Sequence, residues 1–109
     1  MTTLAKTTRL APAPTPREIE DELQAAGMAE SIIQLLPQGA GYAPHARSAG
    51  YEVQRTLPIL VLFHGFSALN RATGLHCIRQ ALAGYDLQFC HDAEGVPYYA
   101  IRGRKGGAL

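Results

Sequence analysis

Between Leu57 and Arg104 the chain runs through an apolar stretch, a punctuated helical pattern and two alternating segments joined at Asp92-Ala93-Glu94-Gly95. Leu87 and Phe89 alternate with Asp86, Gln88 and Cys90, and Tyr99 and Ile101 alternate with Tyr98, Ala100 and Arg102. A period of two on both sides of a short turn predicts an antiparallel hairpin over 86–102. Upstream, Leu75, Ile78 and Leu82 recur at i, i+3 and i+7, which predicts a helix over 73–83 with Gly84 at its C-terminal cap. The run Leu57 to Phe63 suits a buried strand by its β-branched and aromatic content. The favoured reading is a helix over 57–64, with Thr56 as cap and Pro58 in the first turn. Gly65 would end it, and Ser67 would cap a very short helix through Asn70. The expected order is helix, turn, helix, hairpin.

The N-terminal half has a different texture. Residues Met1 to Pro14 are rich in Thr, Ala and Pro without a sustained period, so a mobile leader is expected. Thr15-Pro16-Arg17-Glu18 then combines an N-cap hydroxyl, a proline at the first helical position and a glutamate placed to close a capping box. Ile19, Leu23 and Ala26 carry a helix over 16–26. After Gly27, the residues Met28, Ile32, Ile33, Leu35 and Leu36 carry a second over 28–36, ended by Pro37. This apolar helical pair can cover the C-terminal domain or mate with the same segment of a second copy in a two-fold homodimer. Residues 37–50 read as a loop in which Tyr42, His45 and Arg47 supply some recognition chemistry. The expected organisation is a leader over 1–14, a helical segment over 15–36, a loop over 37–50, a domain over 51–102 and a flexible basic tail over 103–109.

A chain of 109 residues is one domain's length, long enough to bury roughly 60–68% of the surface its unfolded form exposes. Ten basic against nine acidic residues leave a formal charge of +1, so no global field draws it to nucleic acid or an anionic membrane. Any such binding must come from local clustering. The apolar run at 57–63 is far shorter than the ~20 residues of a membrane span, and Lys6 and Arg9 are not followed by the apolar stretch of a secretion signal. Two cysteines do not make a disulfide framework. A cytoplasmic protein with reduced thiols and no membrane association is expected.

The helix over 73–83 followed by the hairpin at 86–102, with its Tyr98-Tyr99-Ala100-Ile101 strand, resembles the winged-helix domains of small bacterial and phage regulators over residues 57–104. The resemblance implies an α+β, winged-helix-like fold and a recognition helix that reads duplex DNA. On the residues themselves, Arg71, Thr73, His76, Arg79 and Gln80 offer donors to phosphates and base edges. Arg102, Arg104 and Lys105 add a basic tail. Asp92 and Glu94 at the hairpin tip repel a phosphate backbone, which shifts the expected contact from the wing to the helix and tail. The expected function is that of a non-enzymatic DNA-binding regulator acting on double-stranded DNA. The alternative is a protein-binding adaptor or inhibitor acting through the same domain or the apolar N-terminal helices.

Three other constellations lead to enzymes or metals. Ile59 to Ser67 resembles the strand and His-Gly loop beside the oxyanion hole of α/β-hydrolases, but the chain has no G-x-S-x-G elbow and is too short for that sheet. His76-Cys77 and Cys90-His91 contain zinc-type ligands, yet adjacent residues diverge by about 100° on a helix and to opposite faces of a strand. A Cys90 nucleophile with His91 or His64 lacks any local signature. No catalytic residue, metal or cofactor is therefore expected.

Overall fold

The computed structural model describes residues 12–106. Residues 1–11 of the expected leader and 107–109 of the expected tail lie outside them. Thr15 opens the first element, helix α1 (Pro16–Ala25), and its Oγ1 accepts a hydrogen bond from the Glu18 amide at 3.1 Å. The Glu18 carboxylate turns instead toward Tyr85 and Arg104. Gly27, at φ +85°, reverses the chain so that the Met28 amide reaches the Leu23 carbonyl at 3.1 Å, a conformation an L side chain resists.

The expected second helix over 28–36 does not form. Strands β1 (Ile33–Gln38) and β2 (Gly41–Ala46) make an antiparallel ribbon, with Gln38 opposite Gly41 around Gly39-Ala40. A helix here would span only about two turns before Pro37, too few to repay nucleation without extensive packing. The β-branched pair Ile32-Ile33 and a glycine turn favour the ribbon. The segment expected as a loop over 37–50 supplies its second strand.

The second sheet has the order β3-β4-β6-β5, antiparallel throughout, built from β3 (Gly50–Gln54), β4 (Ile59–His64), β5 (Tyr85–His91) and β6 (Pro97–Arg104). The expected helix over 57–64 is thus strand β4. Its Ile59 and Val61 are buried against the helices while Leu60 and Leu62, on the other face, are half-buried, so apolar residues fall on both faces and the run shows no alternation. The Thr56 hydroxyl caps no helix and donates to the Pro58 carbonyl at 2.8 Å. Helix α2 (Ala68–Ala81) begins at Ser67, whose Oγ accepts from the Asn70 amide at 3.0 Å. The short helix expected at 67–70 is its first turn, and it ends before Gly84. The hairpin expected at 86–102 is present as β5 and β6, with the Asp92 Oδ1 accepting from the Glu94 and Val96 amides at 2.9 and 2.8 Å in the turn.

The architecture is therefore α+β with two helices and six strands in two sheets among the described residues, not winged-helix-like. Among the described residues the only helix before α2 is α1, and four strands separate the two, so they do not form a helix-turn-helix. Both helices lie on one face of the four-stranded sheet. Ile19 and Leu23 of α1 and Leu75, Ile78 and Leu82 of α2 are buried against Tyr51, Val53, Ile59, Val61, Tyr85, Tyr99 and Ile101. Gly74 is buried where α2 crosses β4, and a Cβ there would collide with the Phe63 ring, which accounts for a glycine inside a helix that pays for it in propensity. No helix among the described residues is long and apolar enough to cross a membrane.

Candidate functional site

Helix α2 packs chiefly over β4 and β3 and against α1, which leaves the Phe89 end of β5 open on the same sheet face. A cleft runs between them. Its upper part, about 400 Å³, lies between Arg71, Leu75, His76 and Arg79 of α2 and Phe89, His91 and Tyr99 of the hairpin. Its lower part, about 630 Å³, continues past Arg79, Phe89 and Tyr99 to Leu82, Asp86, Leu87 and Lys105. Volumes of this order suit a small ligand or a short polymer segment.

Local periodicity builds both walls. Arg71, Leu75 and Arg79 recur at four-residue spacing, which stacks them along one side of α2. Leu87, Phe89 and His91 alternate on β5 and so face the helix side of the sheet. Phe89 and His91 meet edge to face with ring centroids 4.9 Å apart, and Phe89 and Tyr99 lie 5.4 Å apart at 59°. Phe89 keeps 53% of its surface exposed, so it offers the cleft an open aromatic face.

The charge is one-sided. Arg71, Arg79 and Lys105 line the cleft with one acid, Asp86, and with His76 and His91. Arg71 is held by its Nη1, which donates to the Gly65 carbonyl at 3.3 Å. Arg79 and Lys105 form no salt bridge among the described residues, so their charge is available to a ligand.

The residues expected to bind DNA do not all share this surface. Arg71, His76, Arg79 and Lys105 line the cleft. Thr73 faces the other side of α2, beside Met28, Gly50, Phe63 and Cys77. Gln80 is exposed outside the cleft. Arg102 borders a cavity of about 540 Å³ on the opposite face of the sheet, with Leu57, Gln88 and Ala100. Arg104 belongs to β6 and is occupied by Glu18, while its Nε donates to the Pro12 carbonyl at 2.9 Å. Burial and the Glu18 carboxylate push the Tyr85 hydroxyl up to about 12, and the hydrogen bonds from Arg104 and Tyr85 hold the Glu18 carboxyl down at about 2. This trio ties α1 to β5 and β6, and Tyr85 also borders the lower part of the cleft.

The aromatic floor was not expected. Phe89, His91 and Tyr99 could have been found from the alternation of β5 and β6, which places them on the helix-bearing face. The zinc-type residues separate: His76 and His91 line the cleft, Cys77 lies on the Thr73 side of α2, and Cys90 points to the opposite face of the sheet. Among the described residues no three metal-ligating side chains converge. On that opposite face His64 Nε2 and Glu52 Oε1 pair at 2.7 Å across β3 and β4.

No model of a known protein family matches this chain, and neither does any curated protein or solved structure.

Proposed function

We propose that the protein is a non-enzymatic binding module that takes single-stranded nucleic acid into the cleft between α2 and the β5–β6 hairpin. The observation that carries this reading is the exposed Phe89 ring set opposite the unpaired Arg79. Phosphates meet Arg71, Arg79 and Lys105, and a base stacks on Phe89 with Tyr99 and His91 bracing it. Arg71 and Arg79 stand about 12 Å apart along the helix, which suits successive contacts along one strand. A stacking platform beside a cationic wall binds every base through its π-face and discriminates weakly among sequences.

Single strands are favoured over the duplex for a geometric reason. Bases in a duplex are already stacked and cannot reach Phe89, so a duplex would use the cations alone. The basic side of α2 also lies along the cleft, across from the hairpin, which is a poor arrangement for entering a major groove.

Fluorescence anisotropy with a labelled oligothymidylate and a duplex of equal length, each at low and high salt, tests the reading. The single strand should bind more tightly and weaken as salt rises, because neutralised phosphates release counterions. Phe89→Ala should lower its affinity roughly 5- to 100-fold. No binding at low salt overturns the proposal, and equal affinity for the duplex with no effect of Phe89→Ala overturns the stacking part of it.

A further inference from the structure

The β1–β2 ribbon is an arm with one mostly apolar face. Directly opposed residues on an antiparallel pair share a face, and successive pairs alternate. The pairs Ile33–Ala46, Leu35–Pro44 and Pro37–Tyr42 therefore lie together on one side, with the Tyr42 hydroxyl the one polar group among them. Leu35 and Tyr42 are 64% and 72% exposed. The other side is mixed: Gln34, Gln38 and His45 flank the half-buried pair Leu36–Ala43.

The prolines close the arm's edges. The Arg47 amide donates to the Ile32 carbonyl, which makes that pair a hydrogen-bonded one, and alternation then places Pro37 and Pro44 at non-bonded positions on the two strands. Their missing N–H groups belong to the outer edges, so neither edge presents a full row of donors to a further strand. The arm is built to be covered on its face. A free two-stranded ribbon is at best marginally stable in water, which makes a cover necessary.

The same chain holds a second apolar surface that no described helix covers. The face of the four-stranded sheet turned away from both helices has the half-buried Leu60, Leu62 and Tyr98 around the buried Ala100 at its centre, with Ala13 and Pro14 at its border. We propose that the apolar face of the arm docks on this sheet face of a second copy, and that a two-fold dimer exchanges two such arms. The dimensions agree. Six residues per strand give an arm about 20 Å long, enough to cross four strands spaced about 4.8 Å apart. A ribbon face of that length buries roughly 400 Å² on each side of a contact, and two reciprocal contacts reach on the order of 1,500 Å², the size of a stable interface. The arm face carries no charge, so it sets none against the Glu52–His64 pair or Arg102 at the sheet's rim. The α2–β5 cleft lies on the other side of the sheet and stays open in such a dimer.

Sedimentation of the full chain at high micromolar concentration should give the mass of two copies. Leu35→Asp with Tyr42→Asp, both exposed positions, should raise the dissociation constant at least 100-fold with an unchanged circular dichroism spectrum, and Leu62→Asp should do the same from the sheet side. Mixing the arm variant with the sheet variant restores one of the two contacts and should recover a heterodimer. A wild-type monomer, or a dimer indifferent to the arm substitutions, overturns the proposal. If the arm variant dissociates while Leu62→Asp and the conservative Leu62→Thr both remain fully dimeric, arms pair with each other and docking on the sheet is overturned.

Discussion

Glu18 and Arg104 stand 86 residues apart in the chain and meet as a two-pronged ion pair, with Arg104 Nη2 donating to Glu18 Oε1 at 2.7 Å and Nη1 donating to Oε2. The pair joins the first helix to the last strand, and the Tyr85 hydroxyl donates to the same carboxylate. The Arg104 guanidinium also lies 5.8 Å from the centre of the Tyr85 ring, within the reach of a cation–π contact.

A pH dependence of stability follows. Glu18 has its carboxyl lowered from 4.5 to about 2, so the unfolded chain takes up a proton before the folded one does. Its stabilisation is fully present above pH 4.5 and is lost as the pH falls toward 2. Glu18→Gln should lower the melting temperature by several degrees at pH 7, and the gap to the parent chain should shrink through that acid window. Melting curves from pH 7 to 2 check this, and parallel profiles for the two proteins would refute it.

The contact between Gly74 and Phe63 sets the distance of α2 from the sheet. Gly74→Ala gains up to about 1 kcal/mol of helix propensity, yet its methyl group collides with the Phe63 ring. Overpacking at buried sites costs about 1–3 kcal/mol, so the net effect is destabilising. Chemical denaturation should show a lower midpoint with an unchanged slope. Because the smaller side chain relieves that collision, Phe63→Leu in the Gly74→Ala background should recover part of the loss.

Local signals carried some of this structure in the sequence. Thr15-Pro16, the α2 stripe of Leu75, Ile78 and Leu82, and the alternation of β5 and β6 each reflect a nearby cause: a cap, a buried side, a half-buried pleat. The errors came where short apolar runs have no period of their own. Ile59 to Phe63 carries apolar residues on both faces although only the face of Ile59, Val61 and Phe63 meets the helices, so the run shows no period of two. The arm was hidden for the opposite reason, since its glycines and prolines read as loop while the prolines occupy only outward positions of the ladder. For the candidate site, the cations of α2 were visible from helix spacing, but their partners on β5 and β6 appear only once the hairpin is folded beneath α2. Arg102 and Arg104, two apart on β6, share a face under plain strand alternation; the register shift opposite Asp86-Leu87 makes Arg102 the extra residue and sends the two to different surroundings.

Within the cleft, Asp86 is the acid that opposes phosphate binding. Asp86→Asn removes a charge near Lys105 and Arg79 while keeping the shape, so affinity for oligothymidylate should rise a few-fold at low salt and converge with the parent at high salt, where screening erases the difference. Titrations of both proteins across a salt series measure it. A gain that persists unchanged at high salt would point to a cause other than charge.

Pro37 and Pro44 deny the arm's outer edges one donor each. Replacing both with valine supplies an outward N–H on each edge and raises strand propensity, while the apolar face keeps its character. The ribbon then offers two uninterrupted edges for pairing with other chains. The double variant should retain the fold of the four-stranded sheet but aggregate faster, with a rate that climbs with concentration and is seeded by preformed aggregate. Light scattering and thioflavin fluorescence at matched concentrations follow this. Replacing the same prolines with Ala-Ala separates edge pairing from propensity: both variants restore the donors, so both should aggregate faster than the parent chain, with valine ahead of alanine. Aggregation no faster than the parent in either variant would show that the prolines do not protect the edges.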